Sequence, residues 1–225
     1  HQRITLEAEG NATRVTLCLT FLGQQDYENS KAGGAIEGGT QTLGRLDDYV
    51  AILADPHSTP QSAQFCIDRI VDAPRELVWK AYTEADRLAQ WWGPKGFIML
   101  DCRVDLRPGG LFHYGMRSPD GFEMWGKFVF REITPPGKLV YVVSFSDKQG
   151  GTTRHFAAPT WPKEVLNILT LTEAAGKTKI VMRGYPVNAT EEERQMFTAG
   201  FDSMKTGFGG TLGQLEAYLD LAKGQ

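Results

Sequence analysis

Between residues 65 and 185 apolar and polar positions mostly alternate, and beyond that stretch the apolar ones recur at steps of three and four. The alternation predicts short strands at Phe65–Val71, Phe97–Asp105, Leu111–Met116, Phe122–Arg131, Leu139–Phe145, Val165–Thr172 and Val181–Tyr185. Turn signals separate them: Arg107-Pro108-Gly109-Gly110, Pro119-Asp120-Gly121, Pro135-Pro136-Gly137 and Gln149-Gly150-Gly151. In the first of these, Gly109 or Gly110 is expected to take a positive φ. After the first strand, Asp72-Ala73-Pro74 is expected to open a short helix capped by Asp72, with Leu77, Val78 and Ala81 as its apolar side. Thr83 is expected to cap a second helix, Glu84–Trp92, which Gly93-Pro94 stops. Thr190 and Glu193 form a capping box that opens a final helix of about thirty residues.

That helix carries Phe197, Phe201, Met204, Phe208, Leu212, Leu215 and Leu219 on one face. It also contains Gly200, Gly207, Gly209, Gly210 and Gly213, and each interior glycine costs about 1 kcal/mol relative to alanine. Such a composition predicts either close approach to a sheet or open space beside it. The expected architecture for residues 62–225 is α+β, a helix-grip fold in which a curved antiparallel β-sheet wraps around a long C-terminal α-helix.

The first fifty residues repeat part of this plan. Gly38–Tyr49 and Gly207–Tyr218 both fit G-x-x-x-T-L-G-x-L-acid-x-Y, and upstream of each lies a strand pair around a glycine turn: Ile4–Leu6 with Thr13–Val15, and Leu169–Leu171 with Thr178–Ile180. Nothing before residue 54 corresponds to Phe65–Val165. Residues 1–54 therefore read as the C-terminal half of a first helix-grip repeat, two strands and a helix, and the polar Asp55–Gln61 as a linker. A lone hairpin is marginal in water. The expectation is a fragment of a tandem protein, or a half-domain that completes itself against a second copy or against the full domain.

Composition narrows the function classes. Of 225 residues, 41% are hydrophobic and the net charge is −3, which offers no strong field for nucleic acid. Three cysteines, Cys18, Cys66 and Cys102, are far apart and lack zinc-ligand spacing, so they read as buried thiols in a reducing, cytoplasmic setting. No apolar run is long enough to span a membrane. Hydrolase, zincin, Walker and dinucleotide motifs are missing, so no catalytic residue, metal or cofactor is assigned.

Several motifs resemble one family. Arg69-Ile70-Val71-Asp72-Ala73-Pro74-Arg75-Glu76-Leu77-Val78-Trp79, Trp91-Trp92-Gly93-Pro94, Asp105–Gly110, then Gly126 and Arg131-Glu132-Ile133 resemble bacterial homologues of the activator of heat-shock protein 90 ATPase, within the SRPBCC, START-like and birch-pollen-allergen-like group. The resemblance covers about Phe65 to Ala222 and implies a six- or seven-stranded sheet gripping the last helix around a cavity. It also implies a chaperone ATPase as one class of partner, and cyclase or hydrolase chemistry as an alternative use of the cavity.

Strand parity and the helix face give Trp91, Trp92, Phe112, Tyr114, Met116, Met124, Phe128, Met182, Met204 and Phe208 as the expected lining of a site for an apolar or amphipathic small molecule. Glu123 and Arg183 are the charged strand residues expected to reach that cavity. His113, opposite in parity to the aromatic set, is expected to face away from it. Arg69 and Glu132 are expected to pair across neighbouring strands.

Overall fold

A computed structural model of the chain describes residues 1–10, 12–54 and 64–223, in two compact units. The predicted linker lies outside the described residues. In the first unit β1 (Gln2–Glu9) and β2 (Ala12–Leu19) form a two-stranded antiparallel sheet, followed by α1 (Gln24–Ala32) and α2 (Ala35–Ala54). Gly10 takes φ +61° at the hairpin turn, which glycine adopts without the Cβ penalty.

The second unit runs β3 (Phe65–Val71), α3 (Arg75–Thr83), α4 (Ala85–Trp91), β4 (Ile98–Val104), β5 (Leu111–Arg117), β6 (Glu123–Thr134), β7 (Lys138–Ser146), β8 (Thr152–Thr153), β9 (Glu164–Ala174), β10 (Lys177–Val187), α5 (Glu191–Ala199) and α6 (Phe201–Ala222). Among the described residues it forms one eight-stranded antiparallel sheet ordered β3-β10-β9-β7-β6-β5-β4, with the short β8 on β7. The predicted helix-grip architecture is present. Its last strand is longer than predicted and lies inside the sheet, between β3 and β9.

Register sorts the strand residues by face. Phe112 opposes Phe128, Tyr114 opposes Gly126 and Met116 opposes Met124, so these share one side of the sheet. Leu139, Tyr141, Leu169, Leu171, Ile180 and Met182 join them in a single apolar core with Leu212, Leu215 and Leu219 of α6. Val140, Val142, Leu166 and Ile168 are buried on the opposite side. Burial on both faces accounts for the near-continuous apolar runs of β7 and β9.

Local chemistry departs from expectation at several ends. Pro74, not Asp72, is the N-cap of α3, and the Asp72 carboxylate accepts from Lys223 Nζ at 2.9 Å instead. Glu84 occupies the N-cap of α4, while the Thr83 hydroxyl turns back to donate to the Trp79 carbonyl at 2.8 Å. Gly109 has φ +79°, as the turn requires. The capping box forms in full: Thr190 Oγ1 accepts from the Glu193 N–H, and Glu193 Oε2 accepts from the Thr190 N–H. The single final helix is interrupted at Gly200. Arg69 and Glu132 do not meet, because β3 and β6 are separated by β10, β9 and β7; Arg69 lies 3.8 Å from Glu216 and Glu132 is 3.0 Å from Lys138. The cysteines are not buried as expected: Cys18 and Cys66 are exposed and Cys102 is half-buried. Cys66 has the strand parity of the exposed Ile70, opposite to the core residue Phe65.

Candidate functional site

The seam between α6 and the sheet is where the sequence places a cavity. Two short helices shape it. Trp91 ends α4, and its indole N–H donates to the Ala81 carbonyl at 3.0 Å, locking α4 onto α3. Trp92 then points into a nest of rings, with centroids 5.9 Å from Phe112, 5.8 Å from Tyr114 and 5.3 Å from Phe128, all edge-to-face. Phe128 stacks on Tyr141 at 4.3 Å. Thr211 and Gln214 of α6 tie the helix to this corner by donating to the Gly93 carbonyl.

All ten apolar candidates belong to this one core cluster or pack against it. Trp91, Trp92, Met182 and Phe208 border a void together with Ile67, Tyr82, Ile180, Thr211 and Leu212, but its volume is only about 10 Å³. Phe112, Tyr114, Met116, Met124, Phe128 and Met204 belong to the core or pack against it and do not border this void. The spacing of apolar residues left a filled core and an open cavity both possible, and the void at this corner is nearly closed. Interlocked rings account for the closure, since edge-to-face aromatic contacts leave few gaps. Leu212 stood out in sequence through its helical spacing and Thr211 through the repeated motif, whereas Tyr82 carried no signal, because its place depends on the docking of α3.

The two charged candidates lie on the other side of the sheet. Glu123 opposes Arg117, with the parity of Trp125 and His113 and against that of Met124. Its carboxylate is held by Arg117 Nη2 and Lys148 Nζ, each at 2.8 Å. Hydrogen bonds from these two cations bring its pKa down to about 2. Arg183 opposes Ile168 and Cys66, on the face opposite Met182. His113 also faces away from the core, as its parity predicts; it stacks on Trp125 at 5.4 Å, with Nε2 3.2 Å from Ser146 Oγ and 3.1 Å from the Asp147 carbonyl.

Interior chemistry is quiet. Burial pushes the hydroxyls of Tyr82 and Tyr141 up, and that of Tyr114 up to about 12, so all three stay neutral at physiological pH. The Cys102 thiol donates to the Ala85 carbonyl at 3.3 Å, and burial, assisted by Asp101 and Asp86, raises it to about 11. A protonated thiol is a poor nucleophile. Among the described residues no group of three or more His, Cys, Asp or Glu side chains is placed to hold a metal ion, and no helix is long and apolar enough to cross a membrane.

Two surface features were not singled out in sequence. The rings of Phe122 and Phe156 meet at a tilt, centroids 4.5 Å apart, while remaining 40% and 63% exposed. Behind them the rings continue through His155 (4.7 Å from Phe156), Trp161, Phe197 and Phe201 to Phe65, which touches Phe208. Arg154 braces this loop by donating to the Pro159 carbonyl and to Glu193 Oε1, the second oxygen of the capping carboxylate. In the first unit an open groove of about 310 Å³ lies between β2 and the helices, lined by Leu17, Leu19, Phe21, Tyr27, Ile36 and Leu43 among others.

Residues 72–220 match the family described as "Activator of Hsp90 ATPase homolog 1-like protein". The chain belongs to this family. Solved structures agree with that membership. A protein from Nitrosomonas europaea is 27% identical, with 72% of this chain and 97% of that one covered at a TM-score of 0.56. One from Mycobacterium smegmatis is 25% identical, with 70% and 91% covered at 0.59. The AHSA1 protein from Silicibacter pomeroyi, 16% identical, shares the fold over 71% of this chain and 99% of its own at 0.55. No curated protein matches the sequence.

Proposed function

We propose that the helix-grip domain is a protein-contact module whose partner is an ATPase of the Hsp90 type, and that it works through its exposed aromatic surface rather than through an internal ligand site. The observation that carries this reading is a disparity of scale. Small-molecule sites occupy roughly 300–1,000 Å³, whereas the seam under α6 offers about 10 Å³, room for one water at most. Phe122, at the turn before β6, and Phe156, on a loop braced by Arg154, by contrast present paired rings outward. Exposed paired aromatics fit the anchors on which protein interfaces concentrate their energy. The family description supplies the partner class. Such a partner would place the chain in the cytoplasm.

The test is ATP turnover by the cognate Hsp90-type chaperone, with and without the protein. Turnover is expected to rise with the wild type, and the paired change Phe122→Ser and Phe156→Ser is expected to weaken binding by about tenfold or more while leaving the circular dichroism unchanged. Unaltered turnover with the wild type would overturn the partner assignment. Recovery of a retained apolar molecule by native mass spectrometry would return the function to small-molecule binding, with α6 opening to admit it.

The same proposal treats residues 1–54 as the back half of a first helix-grip repeat. In support, hairpin, nine-residue helix and long helix follow in the order seen for β9, β10, α5 and α6.

A further inference from the structure

The loop between β8 and β9 holds Phe156 in place through the side chain before it. His155 turns its Nδ1 back onto its own chain, where it accepts from the Ala157 N–H and the Ala158 N–H, each at 3.0 Å. The Ala158 carbonyl in turn accepts from the Trp161 N–H at 2.9 Å. A ring nitrogen that accepts carries no proton, so the neutral imidazole keeps its hydrogen on Nε2. The same ring lies flat against Phe156, with centroids 4.7 Å and planes 16° apart, and meets the edge of Phe145 of β7 at 4.7 Å. Among the described residues the ring partners of Phe156 are His155 and Phe122. The seat of this exposed phenylalanine therefore depends on an imidazole that must stay unprotonated at Nδ1.

Protonation would set three N–H donors facing one another with no acceptor among them, so both backbone bonds would be lost. The side chains packed on the imidazole are Phe145, Phe156 and Trp161, none of which ionises. The charged groups of the surrounding elements are already engaged. Arg154 and Glu193 of α5 are joined at 2.7 Å, Lys163 acts on Glu193, and behind Phe122 the Glu123 carboxylate is held by Arg117 and Lys148. None of them displaces the titration of His155; burial alone does, downward from its ordinary value of 6.5. A lowered value means that the closed turn favours the neutral ring. Its contribution is complete above 6.5 and is lost as pH falls through the lower value.

We propose that His155 is an acid-sensitive clasp on the aromatic surface: the neutral imidazole closes the turn that sets Phe156 against Phe122, and its protonation opens that turn and separates the pair. The clasp rests on the reading of Phe122 and Phe156 as a docking surface and adds regulation to it, so that docking is complete near neutrality and fails in acid. The choice of residue fits this role. Asparagine or aspartate closes such turns without titrating near neutrality, whereas histidine changes charge within the physiological range.

NMR of the full chain from about pH 7.5 to about pH 4.5 is the primary test and requires no partner. The His155 ring and the Ala157 and Ala158 amides are expected to move together, with one midpoint below 6.5. Affinity for the cognate Hsp90-type chaperone is expected to fall about tenfold for each pH unit below that midpoint. His155→Asn supplies an acceptor that does not titrate here and should hold the turn closed in acid; the ratio of wild type to this variant cancels any titration of the chaperone. His155→Ala should bind about tenfold or more weakly throughout the range. Amides that stay still while the ring titrates overturn the clasp, as does a ring that titrates at 6.5 or above. So does an affinity ratio that stays level with pH, because the response would then belong to another group. A chaperone that binds at no pH overturns the docking surface instead, and the amide titration still decides the clasp.

Discussion

Tyr114 and Gly126 oppose each other on β5 and β6, and the tyrosine ring lies where a side chain at 126 would begin. That contact gives a physical reason for glycine at this position of the motif. Sequence alone marked the residue without showing what needed the space. Glu123, three positions earlier, illustrates the opposite error. It precedes Met124 and was expected to reach the same cavity, but alternation along β6 turns it to the Arg117 and Lys148 side. Its carboxylate is held well below its ordinary value of 4.5, at about 2, so it contributes stability above the ordinary value and loses it as pH falls toward 2. Replacing Glu123 with Gln should remove that part of the acid dependence: melting temperatures of wild type and variant are expected to converge as pH drops through this window. Curves that stay parallel would show that the two cations do not support the fold through Glu123.

At the scale of elements, α5 and α6 show what periodicity reveals and what it hides. The capping box at Thr190 and Glu193 was legible because both partners are local. The interruption at Gly200 was not, because Phe197, Phe201 and Met204 keep helical spacing across it. What demands the glycine is Trp161, from a distant loop, whose ring lies 2.8 Å from the place a Cβ would occupy. The remaining glycines have a different status. A Cβ added at Gly207, Gly209, Gly210 or Gly213 would meet nothing within 4 Å, so close approach to the sheet does not explain them. Gly207 and Gly210 are exposed as well. Changing each to Ala should stabilise the domain by about 0.5–1 kcal/mol through helix propensity, read from the denaturation midpoint. A loss of stability at either position would reveal a need for mobility or space in this turn of α6 that the packing does not display.

For the molecule as a whole, the helix-grip architecture followed from the sequence because alternation, turn glycines and one amphipathic helix each pointed to it independently. Whether the grip encloses a space did not follow. Phe112, Tyr114, Phe128 and Trp92 line a cavity or plug it depending on ring orientation, and edge-to-face packing is fixed only once α4, β5 and β6 converge. The file of rings from Phe156 inward has a consequence of its own. Trp161 stands midway along it, between His155 and Phe197, so surface and interior are joined by side chains in mutual contact. An object pressed against Phe156 would be felt by an indole that it never touches, and the protein would carry its own optical gauge. Tryptophan emission should shift when a partner docks at Phe122 and Phe156, and the shift should vanish in Trp161→Phe; a spectrum unmoved by a partner bound there would mean that the rings slide past one another without relaying the load.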